Sequence, residues 1–331
     1  MDGNGVFADL SRYFLNEEVT KSFTRRRILK QIRESIVSKV VTKSSTDVFL
    51  KFVEKYNKNE FPYGFSNFSI PCDLNDEHID VDFVVYNAKS KKELENEFPE
   101  AFTGGSNFSD NGAFTSVNIS VGLVNGQTSK EKLYSVHGTI QHELNHIYQQ
   151  FCRKLSYGHT GLMVNAKTNL FSGDHNRYII GVIAYVSDNS ERQGFCNELY
   201  VSIMNHFRRN CVFSKDECAA YIWLNNLQKA YQYLLKNKDN ILLQDAIEKF
   251  RLCNSMNLYN FDDKENLKRT NREHLSDYGK WTYSKFKSVA NNTIQKFEDE
   301  IRYTIGKAVN DANDEGLLPR TDGRDYYSFF L

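Results

Sequence analysis

The sequence predicts an α+β protein, mainly helical, in which a small and mostly antiparallel sheet packs on one helix near mid-chain and a helical C-terminal part follows. Three observations predict it. Period-two alternation is confined to residues 65–124. Apolar steps of three and four residues run through most of the remaining chain. Only 4 prolines interrupt the 331 residues.

Residues 16–41 place Val19, Phe23, Ile28, Leu29, Ile32, Ile36 and Val40 at helical spacing, with Lys and Arg between them. The basic run Thr24-Arg25-Arg26-Arg27 is then the wet face of that helix. A second helix is predicted over residues 45–56. The period then changes to two, giving strands over 65–70, 79–86 and 114–124. In the third, Val117, Ile119, Val121 and Leu123 share one face, while Ser116, Asn118 and Ser120 share the other. Residues 103–112, rich in Gly, Ser and Asn, read as a loop, and Asn125-Gly126 ends the third strand.

Over residues 132–155, Leu133, Val136, Ile140, Leu144, Ile147, Phe151 and Leu155 make one apolar stripe, which predicts a long amphipathic helix. A polar, glycine-punctuated stretch covers 156–176, and 178–186 is apolar. Ser187-Asp188-Asn189-Ser190 reads as the cap of a helix that runs to about His206. Helices are further predicted over 215–236, 241–253 and 274–309. A boundary near residue 210 would divide the chain into an α+β part with its N-terminal helices, 1–210, and a helical subdomain, 211–331.

Composition narrows the function classes. Hydrophobic residues make up 40% and aromatic residues 14%, which is ample for a core. Lys+Arg and Asp+Glu balance at 42 each, so no net field recruits nucleic acid or an anionic membrane. The six cysteines contain no C-x-x-C pair, residues 1–10 lack a basic-then-apolar leader, and no run of about 18 apolar residues exists. A reduced, cytoplasmic setting without a membrane anchor is expected.

The chemistry-bearing segment is His142-Glu143-Leu144-Asn145-His146, an H-E-x-x-H motif inside the long helix. Chance produces it about once in a hundred chains of this composition, so it outweighs any other signal here. Two histidines four residues apart project from the same side of a helix and can share one tetrahedral Zn²⁺. Glu143 is rotated by about 100° from His142 and lies beside the pair, where it suits a general base acting on water. The alternative is a helix with two histidines and no metal. Leu144 and Ile147 sit on the buried stripe, however, and a buried unmetallated pair would need two separate sets of hydrogen-bond partners.

A catalytic zinc normally takes three protein ligands and keeps an open position. In the longer H-E-x-x-H-x-x-G-x-x-H pattern, Gln149 and Cys152 stand where Gly and the last His belong. The helix therefore continues past 149 and carries Cys152 to another side, as a core residue. A carboxylate from the later helix is the remaining source, and Glu191 and Glu198 are both available. They are seven residues apart on nearly one face, about 10 Å apart in height, so only one can be a ligand. Gly194 lies between them, where a missing side chain lets two helices approach. Without a metal, Glu191 would form a capping box with Asp188, and Glu198 would face solvent.

These residues resemble the zincin metallopeptidases, and more narrowly the gluzincin arrangement, in which H-E-x-x-H is followed on a later helix by a glutamate ligand. The resemblance covers roughly residues 114–206. Ser190-Glu191 with the small Gly194 is also similar to a pattern in proteins of gut bacteria and their phages, which favours Glu191. Asn197-Glu198 is similar instead to the Asn-Glu pair of thermolysin-like enzymes. The resemblance implies one zinc per chain, a peptide or protein substrate, and hydrolysis with Glu143 as general base. It also implies a strand before the motif helix, here Phe114–Val124, whose edge would pair with extended substrate. A donor for the developing oxyanion is implied too, with Tyr178, Tyr185 and His206 available. A reading from another class is a structural or packaged phage-type protein that keeps the zincin fold with little catalysis. There the helix over 274–309, with Phe286, Val289, Ile294, Phe297 and Ile301, would be an assembly surface or plain core.

Overall fold

The computed structural model describes residues 21–74, 77–108, 114–153, 160–256, 281–318 and 326–331. The chain divides into two compact units, Met1–Val40 and Val41–Leu331. Residues 21–40 of the first are the opening turns of a helix, α1 (Lys21–Asn57). The side chains of 21–38, including the basic run, lie outside the described residues, as does the N-terminal segment 1–20.

The fold is mainly helical with a small mixed sheet. Strands β1 (Gly64–Leu74), β2 (Glu77–Ala88), β3 (Gly104–Phe108) and β4 (Phe114–Val124) lie in the order β1-β2-β4-β3. β1 and β2 pair antiparallel, as do β3 and β4, while β2 and β4 run parallel. Between β2 and β3 runs α2 (Lys91–Glu97), capped by Ser90, whose side chain accepts from the Glu93 amide. Beyond the sheet come α3 (Lys130–Arg153), α4 (Thr160–Leu170), α5 (His175–Ser187) and α6 (Asn189–Arg209). A short 3-10 turn (Lys215–Glu217) leads to α7 (Ala219–Lys236), α8 (Ile241–Met256), α9 (Tyr283–Asp314) and α10 (Tyr326–Phe330).

Three expectations change. α1 does not break near Ser45: the hydroxyls of Ser45 and Thr46 both donate back to the Thr42 carbonyl, so they serve the running helix and do not cap a new one. Residues 104–108, read as loop, form β3 along β4. Residues 160–170, read as polar connection, form α4, whose Gly181 neighbour on α5 explains the fit: a Cβ at 181 would meet the Leu170 amide nitrogen at 2.7 Å. Residue 210 itself lies inside the unit Val41–Leu331.

The inner face of the sheet is apolar in the alternating manner expected. Ile79, Val81, Phe83 and Val85 of β2 and Val117, Ile119, Val121 and Leu123 of β4 are buried. The second half of α1 packs there through Phe52, whose ring stacks on Phe83 at 5.0 Å. Residues of α5 to α10 share the larger core, in which Phe286, Phe297 and Ile301 of α9 are buried. That stripe is therefore intramolecular core. Among the described residues, no helix is long and apolar enough to cross a membrane.

A buried polar joint ties α1 to α3 and α6. His137 has Thr46 Oγ1 at 3.3 Å from its Nε2 and Asn205 Nδ2 at 3.3 Å from its Nδ1, and its ring stacks on Phe49 at 4.7 Å. Burial, then the nearby Arg209, push its pKa down to about 3, so the ring is neutral. Its folded value lies below the ordinary 6.5, so its contribution to stability is full above 6.5 and is lost as pH falls towards about 3. In urea unfolding, His137→Gln should flatten the pH dependence across that window by up to about 1.4 kcal/mol per pH unit.

Candidate metal centre

The motif helix α3 and the capped helix α6 bring the predicted residues together. His142 Nε2 lies 3.5 Å and His146 Nε2 3.6 Å from the same atom, Glu191 Oε2. The imidazole rings stand 4.7 Å apart at 72°, so their Nε2 edges converge instead of stacking. One ligand atom from each of the three residues falls within 4.8 Å of the others, and His142 and Glu191 are buried.

The approach of the two helices depends on missing side chains. A Cβ at Gly194 would lie 2.6 Å from His142 Cε1 and 2.8 Å from both ring nitrogens. The ring occupies the space that any other residue at 194 would fill. A second notch faces it: a Cβ at Gly138 of α3 would lie 2.6 Å from Cγ of Glu198. Glu198 uses that space to reach the opposite edge of the same imidazole, with Oε2 3.7 Å from His142 Nδ1. The two carboxylates thus divide the ring between them, Glu191 on the convergent side and Glu198 behind it.

α6 is aimed by its first turn. Asp188 ends α5 and caps α6, accepting from the Ser190 amide at 2.6 Å and bonding the Ser190 hydroxyl. Because Ser190 takes the cap, Glu191 is free of a capping box and points at the histidines. Next to it, buried Arg192 donates from Nη1 to the carbonyls of Val186 and Ser187 at 2.9 and 2.8 Å, and from Nε to Glu300 of α9 at 3.0 Å. Those bonds satisfy the last carbonyls of α5 and fix the turn that carries Glu191.

The site is short of positive charge. Glu143, Glu191 and Glu198 surround His142; burial alone would lower its pKa, but the nearby carboxylates of Glu191 and Glu198 and the charge of Glu143 hold it up to about 10. Glu191 Oε2, at the point of convergence, is buried without a hydrogen-bond partner. An orphaned carboxylate oxygen between two imidazole nitrogens is the donor set of a borderline divalent cation such as Zn²⁺. The residues fit the metal that the motif implies.

Of the three tyrosine and histidine candidates for an oxyanion donor, one is at the site. Burial and then the charge of neighbouring Glu191 push the Tyr185 phenol well above its ordinary value, which keeps its proton in place. Tyr178 packs against the helical core. His206 donates from Nδ1 to the Cys211 carbonyl at 2.6 Å and stacks on Phe329, so it serves the C-terminal packing. α3 runs on to Arg153 without a turn at Gln149, while the side chain of Cys152 lies outside the described residues.

One contact has no counterpart in the sequence patterns. Ser106 of β3 donates to Glu143 Oε2 at 2.7 Å. The strand that carries it is spelled Gly-Gly-Ser-Asn-Phe, with no alternation to announce it.

Gly194→Ala should press a methyl group into the His142 ring. We expect a loss of about 1–3 kcal/mol in chemical unfolding and a metal affinity at least about tenfold weaker by chelator competition. Unchanged values for both would show that α6 has room to retreat.

No protein-family model, curated protein or solved structure matches this chain.

Proposed function

We propose that the chain is a zinc-dependent peptidase of the zincin type, gluzincin-like, with His142, His146 and Glu191 as metal ligands. The observation that carries this reading is the convergence of both Nε2 atoms on the unpartnered Glu191 Oε2, with Glu143 one residue along the same helix. Glu198 is then the outer partner of His142 Nδ1, and not a ligand. Zinc held by these residues would supply Lewis acidity, polarising a carbonyl and acidifying water at the site.

The chain's own residues divide the remaining work. Glu143 accepts the proton of the attacking water and passes it to the leaving amine, as a carboxylate within reach of the site should. Glu198, 3.7 Å behind the ring, favours the His142 tautomer that carries its proton on Nδ1, which would leave Nε2 unprotonated for the metal. Tyr185 keeps its phenolic proton and bonds Glu191, so it would have to turn from that carboxylate to serve the oxyanion on the scissile carbonyl. Substrate is a peptide or protein, and β3, the outer strand of the sheet on the side of α3, is the edge along which an extended backbone would lie. This edge replaces β4, which β2 and β3 enclose. The free, buried Cys72, Cys196, Cys211, Cys218 and Cys253 accord with action in a reducing cytoplasm.

Zinc-reconstituted protein should hold about one zinc per chain by elemental analysis and hydrolyse unstructured peptides. Glu143→Gln should retain the metal and lose about 10²-fold or more of the rate, whereas His142→Ala should lose both. Hydrolysis surviving in the Glu143 variant would overturn the mechanism.

Glu198→Gln separates the two carboxylates. As an outer partner it should weaken zinc binding about 10- to 100-fold at unchanged stoichiometry. Glu191→Gln should be the more damaging change; the reverse order would make Glu198 the ligand.

A further inference from the structure

We propose that Ser106 is a positioning residue for Glu143, and that β3 is built as a seat for this carboxylate. The inference rests on the peptidase reading for its consequence, but its geometry stands apart from any metal. β3 is the terminal strand of the sheet, paired only with β4 among the described strands, and one of its faces lies against α3. Residues 104 and 106 point to one face of the strand and 105 to the other. A Cβ at Gly105 would meet nothing within 4 Å, whereas one at Gly104 would lie 2.6 Å from Thr139 Cγ2, 2.9 Å from Glu143 Cγ and 3.2 Å from Glu143 Oε1. The strand backbone is thus pressed onto the turn of α3 that carries Glu143. Two residues on, the Ser106 hydroxyl donates to Glu143 Oε2 at 2.7 Å.

Together these contacts define where the carboxylate sits. Its stem leans on the bare Cα of Gly104, and one oxygen is held by the hydroxyl of Ser106. Oε1 is left to take a proton. A glutamate on a helix surface otherwise samples several rotamers, and a general base works only within hydrogen-bond reach of its proton. The hydroxyl suits both protonation states: it donates to the carboxylate before proton transfer and to the remaining carbonyl-type oxygen afterwards. No partner has to be exchanged during turnover. Ser106 touches neither substrate nor the reacting atoms, so its effect runs through Glu143 alone.

The test uses the full chain with Ser106→Ala and Ser106→Thr. On the zinc-loaded protein, Ser106→Ala should lower kcat about tenfold, the loss of one hydrogen bond to a charged group, with KM and zinc affinity unchanged. Ser106→Thr keeps the hydroxyl and should recover most of the rate. A crystal structure of metal-free Ser106→Ala should show the Glu143 carboxylate displaced from β3 or spread over several positions. A carboxylate fixed in its place would overturn the proposal, as would equal losses in the Ala and Thr variants. Should the unaltered protein hydrolyse no peptide, the peptidase reading fails, and the crystal structure still decides the role of Ser106.

Discussion

The close passage of α6 across α3 is the constraint on which the site depends. Two glycines set it, one on each helix, and each faces a functional side chain of the other. Gly194 receives the ring of His142, and Gly138 receives the stem of Glu198. With a side chain at either position the helices would separate by the width of a methyl group or more. The contacts of 3.5 and 3.6 Å at Glu191 Oε2 would then open beyond the reach of a shared ion. Packing at interior density therefore fixes how the three candidate ligands face one another.

Such close approach carries an electrostatic burden. Three carboxylates crowd one buried imidazole, and its protonation is the nearest compensation. The surrounding structure is correspondingly stiff. Arg192 locks the turn before Glu191 with bonds to two carbonyls and to Glu300, and the neutral His137 joint anchors α3 to α1 and α6 one turn upstream of the motif. Side chains held in this way are preorganised, and a cation bound at the proposed site would find them already in place.

Much of this is legible in the sequence because it obeys local rules. H-E-x-x-H on a continuous stripe places its own histidines, and Asp188 is readable as a cap because its side chain can serve the next amides. Gly194 is readable from its place between Glu191 and Glu198. The choice between those two is not settled by spacing alone: seven residues return nearly to the same face, so only the pose of α6 against α3 separates the ring edge that each one meets. β3 is illegible for a different reason. Its inward positions are Gly104 and Ser106, chosen for contact with Glu143 and not for an apolar core, so the alternation that marks a strand is missing. The continuity of α1 through Thr42 to Thr46 is hidden because the same hydroxyls could cap a helix or return to its carbonyls.

Asp188 belongs to two helices at once, as the residue after α5 and the residue before α6. No slack separates them. Inserting or deleting one residue there would turn the whole of α6 by about 100° about its axis and shift it by about 1.5 Å, taking Glu191, Gly194 and Glu198 off the face of α3 together. The stretch from Ser187 to Ser190 is thus a length-critical joint, open to exchange of side chains and closed to changes in residue number. Chains that share this centre should keep a fixed count across the joint, however far their other connections vary in length.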